Sequence, residues 1–231
     1  FKKLVNAIKK TECRIIKTQI FVPEERSNID HHEWSVFKKL SIRSEQWVEI
    51  AKYVKKNKLL FFVDIFGETG LKIAQKCNVD GFKIHSEDFL NFSFIEKVAR
   101  LNKILLLGIG GVFRSDLVLL LEYLKKKRLT NKLILMPGIQ TFPTPLASHS
   151  LGEIRDLISK YANRYNIKIG CADHISGKLV EAREFPILAL AMGACIWSTP
   201  LKKMYKFPAL SFIRFFDNHG LLTTAGPIQW Y

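Results

Sequence analysis

The chain has 231 residues, 48% hydrophobic and 12% aromatic, enough to bury a full core and too apolar for a disordered polymer. Its 36 Lys and Arg against 21 Asp and Glu give a formal net charge of +15, which favours an anionic partner: a phosphorylated metabolite, an acidic sugar, nucleic acid or a membrane surface. The basic residues fall in short clusters such as Lys125-Lys126-Lys127-Arg128 that read as solvated helix ends. No reading-helix, finger or RNA-binding motif and no bilayer-length apolar run is recognisable, so neither nucleic acid nor a membrane span is expected.

In chain order, the β-branched run Cys13 to Val22 predicts a strand, and Pro23 to Leu40 a long polar loop whose His31-His32 pair is solvated, part of a lid, or reaching another subunit. Ser44 to Lys56 predicts a helix, with Trp47, Ile50, Ala51 and Val54 on one stripe behind Ser44 as N-cap. Leu59 to Phe66 reads as a strand, Leu71 to Lys76 as a helix, Gly81 to Ser86 as a strand and Phe94 to Leu101 as a helix. Ile104 to Gly110 is an aliphatic strand, and Ser115 to Lys127 a helix with Leu117, Leu120, Leu121 and Leu124 on one face. Lys132 to Met136 predicts a strand, Gly152 to Tyr165 a helix, Ile167 to Ala172 a strand, Pro186 to Met192 a helix with Pro in its first turn, and Ala194 to Trp197 the last strand.

Seven buried strands alternating with helices imply a parallel sheet wrapped by helices. Functional residue types at several strand ends favour a (β/α)8 TIM-type barrel over a doubly wound sheet, with the first strand missing from this chain. One domain, 1–231, is expected. Because the chain begins with Phe1, it is read as a piece of a longer polypeptide. Cys13, Cys77, Cys171 and Cys195 are widely spaced with no CxxC pair, which argues against a zinc knuckle or disulfide framework and fits a reducing, cytoplasmic setting.

The carboxyl ends of the strands collect Lys17 and Gln19, Asp64, Lys83, Ser86 and Asp88, Gly108 to Gly111, Gln140, and Asp173 with His174. Lysines at a barrel mouth supply charge for a phosphate or carboxylate, and glycine turns let backbone N–H groups approach the same oxygens. One His with carboxylates serves proton transfer or holds a divalent cation. In the run Ile169 to Gly177, Asp173 is placed to fix the tautomer of His174. Each of these residues also has an ordinary structural reading, as a salt-bridged lysine, a tight turn or a hydrogen-bonded histidine.

Lys17-Thr18-Gln19, Lys83 to Asn91, Phe142-Pro143-Thr144-Pro145, Ile169 to His174 and Ala191-Met192-Gly193-Ala194 together resemble the barrel domain of N-acetylneuraminate (sialic acid) synthases, from about Val5 to Trp197. The resemblance implies a barrel that condenses phosphoenolpyruvate with an N-acylated mannosamine-type sugar, giving a nonulosonic acid and phosphate. A divalent metal, manganese or magnesium, would polarise the sugar aldehyde. By the same motifs, Lys17, Gln19, Lys83 and Ser86 would hold phosphoenolpyruvate, Asp88 and Gln140 would approach the sugar or the reacting centre, and His174 would bind the metal. The oligomeric state stays open, a homodimer being the arrangement the family suggests.

The family pattern also breaks. Trp197-Ser198-Thr199-Pro200 stands where a Glu-Lys-His stretch is usual, so Pro200 replaces the second metal-ligating His. Ala172 replaces a Ser, Gly108-Ile109-Gly110 a Ser-Thr-Gly, Gln140 and Phe142 an Asn and a Tyr, and Val63-Asp64-Ile65-Phe66 a Ser-Thr-Pro-Phe-like strand end. The segment 201–231 is read as divergent, with a short helix over Pro208 to Asn218 and an apolar tail. Two functions follow: a divergent synthase, or a catalytically impaired homologue acting as an anion- or sugar-binding or interaction module.

Overall fold

The computed structural model describes residues 1–10, 13–141, 143–176, 178–200 and 211–215. After helix α1 (Lys2–Ile8) come β1 (Ile15–Ile20), α2 (Pro23–Arg26), α3 (Trp34–Leu40), α4 (Ser44–Lys56), β2 (Leu60–Ile65), α5 (Gly67–Lys76), β3 (Gly81–Ile84) and α6 (Phe92–Ala99). The second half holds β4 (Ile104–Gly108), α7 (Arg114–Lys126), β5 (Leu133–Met136), α8 (Gly152–Leu157), α9 (Asn163–Tyr165), β6 (Lys168–Ile169), β7 (Cys171–Ala172), α10 (Glu181–Ala191), β8 (Ile196–Pro200) and β9 (Ser211–Phe215). This is the expected barrel-type α/β fold. β1 to β6 pair in parallel in chain order, as do β7 and β8.

The strand ladder runs β6-β5-β4-β3-β2-β1-β9-β8-β7. Its two ends are consecutive halves of one extended segment, Lys168–Ala172, interrupted at Gly170. Regular pairing breaks there, but the wall continues: Gly170 N donates to Leu135 O on one side at 2.8 Å, and Cys195 N to Ile169 O on the other at 2.8 Å. Glycine at this position has a packing cause. A Cβ on Gly170 would lie 2.4 Å from Met136 Sδ and 2.5 Å from Ile196 Cγ2, so only glycine fits between those side chains.

Alternation along each strand divides the core in two. Ile15, Phe62, Leu106, Ile134, Met136 and Ile196 fill the inside of the sheet, while Ile16, Phe61, Val63, Leu105, Leu107, Leu133 and Leu135 pack outward against the helices. α4 contributes Trp47, Ala51 and Val54, and α7 contributes Leu117, Leu120, Leu121 and Leu124, the stripes expected from their helical spacing.

Several expectations are corrected. The helix predicted over Pro208 to Asn218 is a strand where it is described: β9 runs antiparallel between β1 and β8, in the place of the strand the sequence lacked. Phe212, Ile213 and Phe215 are good strand formers, and the edges of β1 and β8 offer backbone partners that a lone helix would leave unused. The rest of 201–231, with Phe142 and Gly177, lies outside the described residues. The N-cap of α4 is Arg43 rather than Ser44, Arg43 N donating to Gln46 Oε1 at 3.2 Å. Pro186 stands inside α10 rather than in its first turn. The long loop holds α2 and α3, anchored by edge-to-face contacts of Phe21 with Phe37 and Phe66. Glu25 of α2 accepts from Thr69 N at 2.9 Å and Oγ1 at 2.8 Å, and from Gly70 N at 3.3 Å, capping the first turn of α5.

Candidate active site

Period-two alternation places Lys17 and Gln19 on the same inner face as Ile15, Asp64 on that of Phe62, and Lys83 on that of Gly81. Register then pairs Gln19 with Asp64 and Asp64 with Lys83. Just above the apolar plug, three polar side chains from adjacent strands therefore meet. Lys17 Nζ lies 2.7 Å from Asp64 Oδ1 and 2.8 Å from Oδ2, with Lys17 2% and Asp64 1% exposed. Lys83 Nζ, on a side chain 12% exposed, is 3.6 Å from Asp64 Oδ2.

His85 completes the cluster. Its Nε2 lies 2.8 Å from Asp64 Oδ2 and 3.3 Å from Lys83 Nζ. An ionised carboxylate can only accept, so Nε2 carries the proton and donates to Asp64. The ring stacks on Phe66, centroids 5.2 Å apart, and Arg26 of α2 covers the same phenyl ring at 4.6 Å while pairing with Glu87 at 3.0 Å. The segment between β1 and α4 thus roofs one side of the mouth.

Burial alone would raise the Asp64 carboxyl, but the charges of Lys17 and Lys83 and the His85 hydrogen bond outweigh it and hold the group well below the usual carboxylate range. Burial pulls the Lys17 ammonium down to about 8, Asp64 resisting and Lys83 assisting. His85 is lowered by burial and by Lys83. At neutral pH Lys17 is therefore an ammonium, Asp64 a carboxylate and His85 a neutral imidazole.

His174 stands beyond β7 and feels the same charges. Burial lowers its pKa, as do Lys83, His85 and Lys17, against the Ile139 carbonyl, which lies 3.0 Å from its Nδ1. That contact requires a proton on Nδ1 and leaves the lone pair on Nε2, the tautomer suited to a base or metal ligand. Asp173 is buried, its Oδ1 accepting from Ile175 N at 3.0 Å and its Oδ2 from the Trp197 indole N–H. Thr144, in the Pro143-Thr144-Pro145 motif, donates its backbone N–H to His174 O at 2.9 Å and its hydroxyl to Thr141 O at 2.6 Å.

The remaining expected residues are more dispersed. Gln19 and Ser86 are half-buried, and Gln140 is exposed at the end of the loop carrying Ile139. Asp88 borders a cavity of about 350 Å³ with Asn91, Ser93 and Lys97, its carboxyl raised by burial and by Glu87. His85 was missed as a functional candidate, although it stands two residues beyond Lys83 on the same alternation.

Toward the divalent metal implied by the resemblance, this mouth would offer His174 through Nε2. Among the described residues, no group of three His, Cys, Asp or Glu ligands gathers at His174; the group that does come together is His31, His32 and Glu33, exposed in the segment between α2 and α3. Pro200 occupies the end of β8, where its residue type supplies no side-chain ligand.

Residues 4–198 match the model of the NeuB family. The chain belongs to the NeuB family. An uncharacterised protein of Methanocaldococcus jannaschii is 30% identical over 84% of this NeuB chain and 54% of its own length. The N,N'-diacetyllegionaminic acid synthase of Campylobacter jejuni is 25% identical over 72% and 48%. The NeuB chain thus spans about half the length of these curated relatives. Among solved structures, the N-acetylneuraminic acid synthetase of Leptospira borgpetersenii, in complex with citrate, superposes with a TM-score of 0.73 at 26% identity, covering 83% of this chain and 64% of that one.

Proposed function

We propose that this mouth condenses phosphoenolpyruvate with an N-acylated amino sugar of the N-acetylmannosamine type, forming a nonulosonic acid and releasing phosphate. Carbon 3 of phosphoenolpyruvate bonds to the sugar aldehyde carbon, water adds at carbon 2, and the C–O bond to phosphate breaks. The observation that carries this reading is the convergence of Lys17, Lys83, His85 and His174 at the carboxyl ends of barrel strands in a NeuB chain. Lys83 contacts the substrate anion, and Gln19 and Ser86 flank it. His174, with Nδ1 held by Ile139, handles protons through Nε2. Asp88 and Gln140 approach the sugar. The cytoplasmic setting and the homodimer suggested by the family belong to the same proposal.

Two observations favour a second reading, a catalytically impaired barrel that binds an anion or sugar. Asp64 already occupies the lysine pair, and Pro200 ends β8. The two are separated by incubating the protein with phosphoenolpyruvate, N-acetylmannosamine or its 6-phosphate, and manganese, while following phosphate release. Sugar-dependent release supports the synthase. Its absence, with phosphoenolpyruvate still raising the melting temperature, supports the binding module.

A further inference from the structure

The lysines at the mouth are not held open. Asp64 takes Lys17 with both of its oxygens, accepts from His85, and stands 3.6 Å from Lys83. A carboxylate set between two ammonium groups at such distances has the geometry of a bound oxyanion. The chain treats the first turn of α5 in the same way, filling it with the Glu25 carboxylate.

We propose that Asp64 is a resident counter-anion occupying the oxyanion seat of the barrel mouth, so that it sets the charge of the ligand accepted there. The seat keeps one net positive charge, displayed by Lys83, while Lys17 is spent on Asp64. A phosphate group contacts Lys83 at the outer side of the cluster and meets the Asp64 carboxylate behind it. The site is therefore tuned against multiply charged anions, and one neutral substitution releases it. Lys17 becomes a positioning residue, holding the carboxylate in place. The inference rests on the proposal that the mouth takes a phosphate-bearing substrate and names the residue that limits how well it does so.

The test titrates the whole chain with inorganic phosphate by calorimetry, following the melting temperature in parallel. Asp64→Asn is expected to tighten phosphate at least tenfold, because a negative charge within a few ångströms of the ligand is removed in a poorly screened site. Its melting temperature should fall without phosphate and recover with it, as the anion takes over the role of pairing Lys17. Glu122→Gln removes one negative charge from an exposed pair with Arg164 on the outer helices and controls for net charge. It should leave phosphate affinity unchanged. An Asp64→Asn gain no larger than that of Glu122→Gln overturns the proposal. Should Asp64→Asn not fold even in phosphate, Lys83→Met decides: its side chain is near the surface, and undiminished phosphate affinity in that variant also overturns the assignment. Tighter phosphate binding without turnover would leave the role of Asp64 standing and remove the synthase; turnover with no gain on Asp64→Asn would do the reverse.

Discussion

The Lys17–Asp64 pair offers a quantitative test of how the barrel mouth is built. At 2.7 Å and an effective dielectric of about 20, the attraction is about 6 kcal/mol, against a desolvation cost of several kcal/mol for each buried ion. The net worth of the intact pair is therefore small, while an orphaned partner is expensive. Lys17→Met and Asp64→Leu should each cost about 3–5 kcal/mol, and the double variant no more than about 2 kcal/mol, because His85 and Lys83 still lose their acceptor. The coupling energy from urea unfolding of the four proteins at pH 7 should then exceed about 3 kcal/mol. The folded-state pKa of Asp64 lies below its ordinary 3.8, so its contribution is full above 3.8, declines as the pH falls below that value, and is gone only below the folded-state pKa. The cost of Asp64→Leu should accordingly shrink at pH 3. Single variants that cost less than about 1 kcal/mol, or that add without coupling, would refute the reasoning.

Two further predictions concern the frame around His174. Asp173→Ala removes the acceptor of the buried Trp197 indole and of Ile175 N, and should cost about 2–4 kcal/mol in urea unfolding with an altered tryptophan emission spectrum; unchanged stability would show that these bonds contribute nothing. Gly170→Ala forces a methyl against Met136, Ile196 and the Ile196 carbonyl and should cost about 1–3 kcal/mol by thermal melting, a neutral result meaning that the inner wall yields there.

The barrel could be read from the sequence because buried parallel strands appear as aliphatic runs and their covering helices as 3.6-residue stripes. Ile104–Gly108 and Arg114–Lys126 carry both signals. β9 could not be read this way: Ser211–Phe215 carries a polar and a charged residue among its apolar ones, and what settles its conformation is the pair of edges waiting on β1 and β8. The same limit applies to the candidate site. Strand alternation marks Lys17, Asp64 and Lys83 as inward-facing one at a time, but their meeting depends on the register that sets Gln19 beside Asp64 and Asp64 beside Lys83, across residues far apart in the chain. Asp173 and His174 likewise draw partners from elsewhere in the chain. The carboxylate accepts from Trp197 and Ile175, and the imidazole contacts a carbonyl 35 residues upstream. Pro143-Thr144-Pro145 was legible as a motif before its physical role was: two prolines that cannot donate flank a threonine whose N–H and hydroxyl both bond, one of them to the His174 carbonyl. His174 is thus held through its backbone by one part of this loop and through its ring by another.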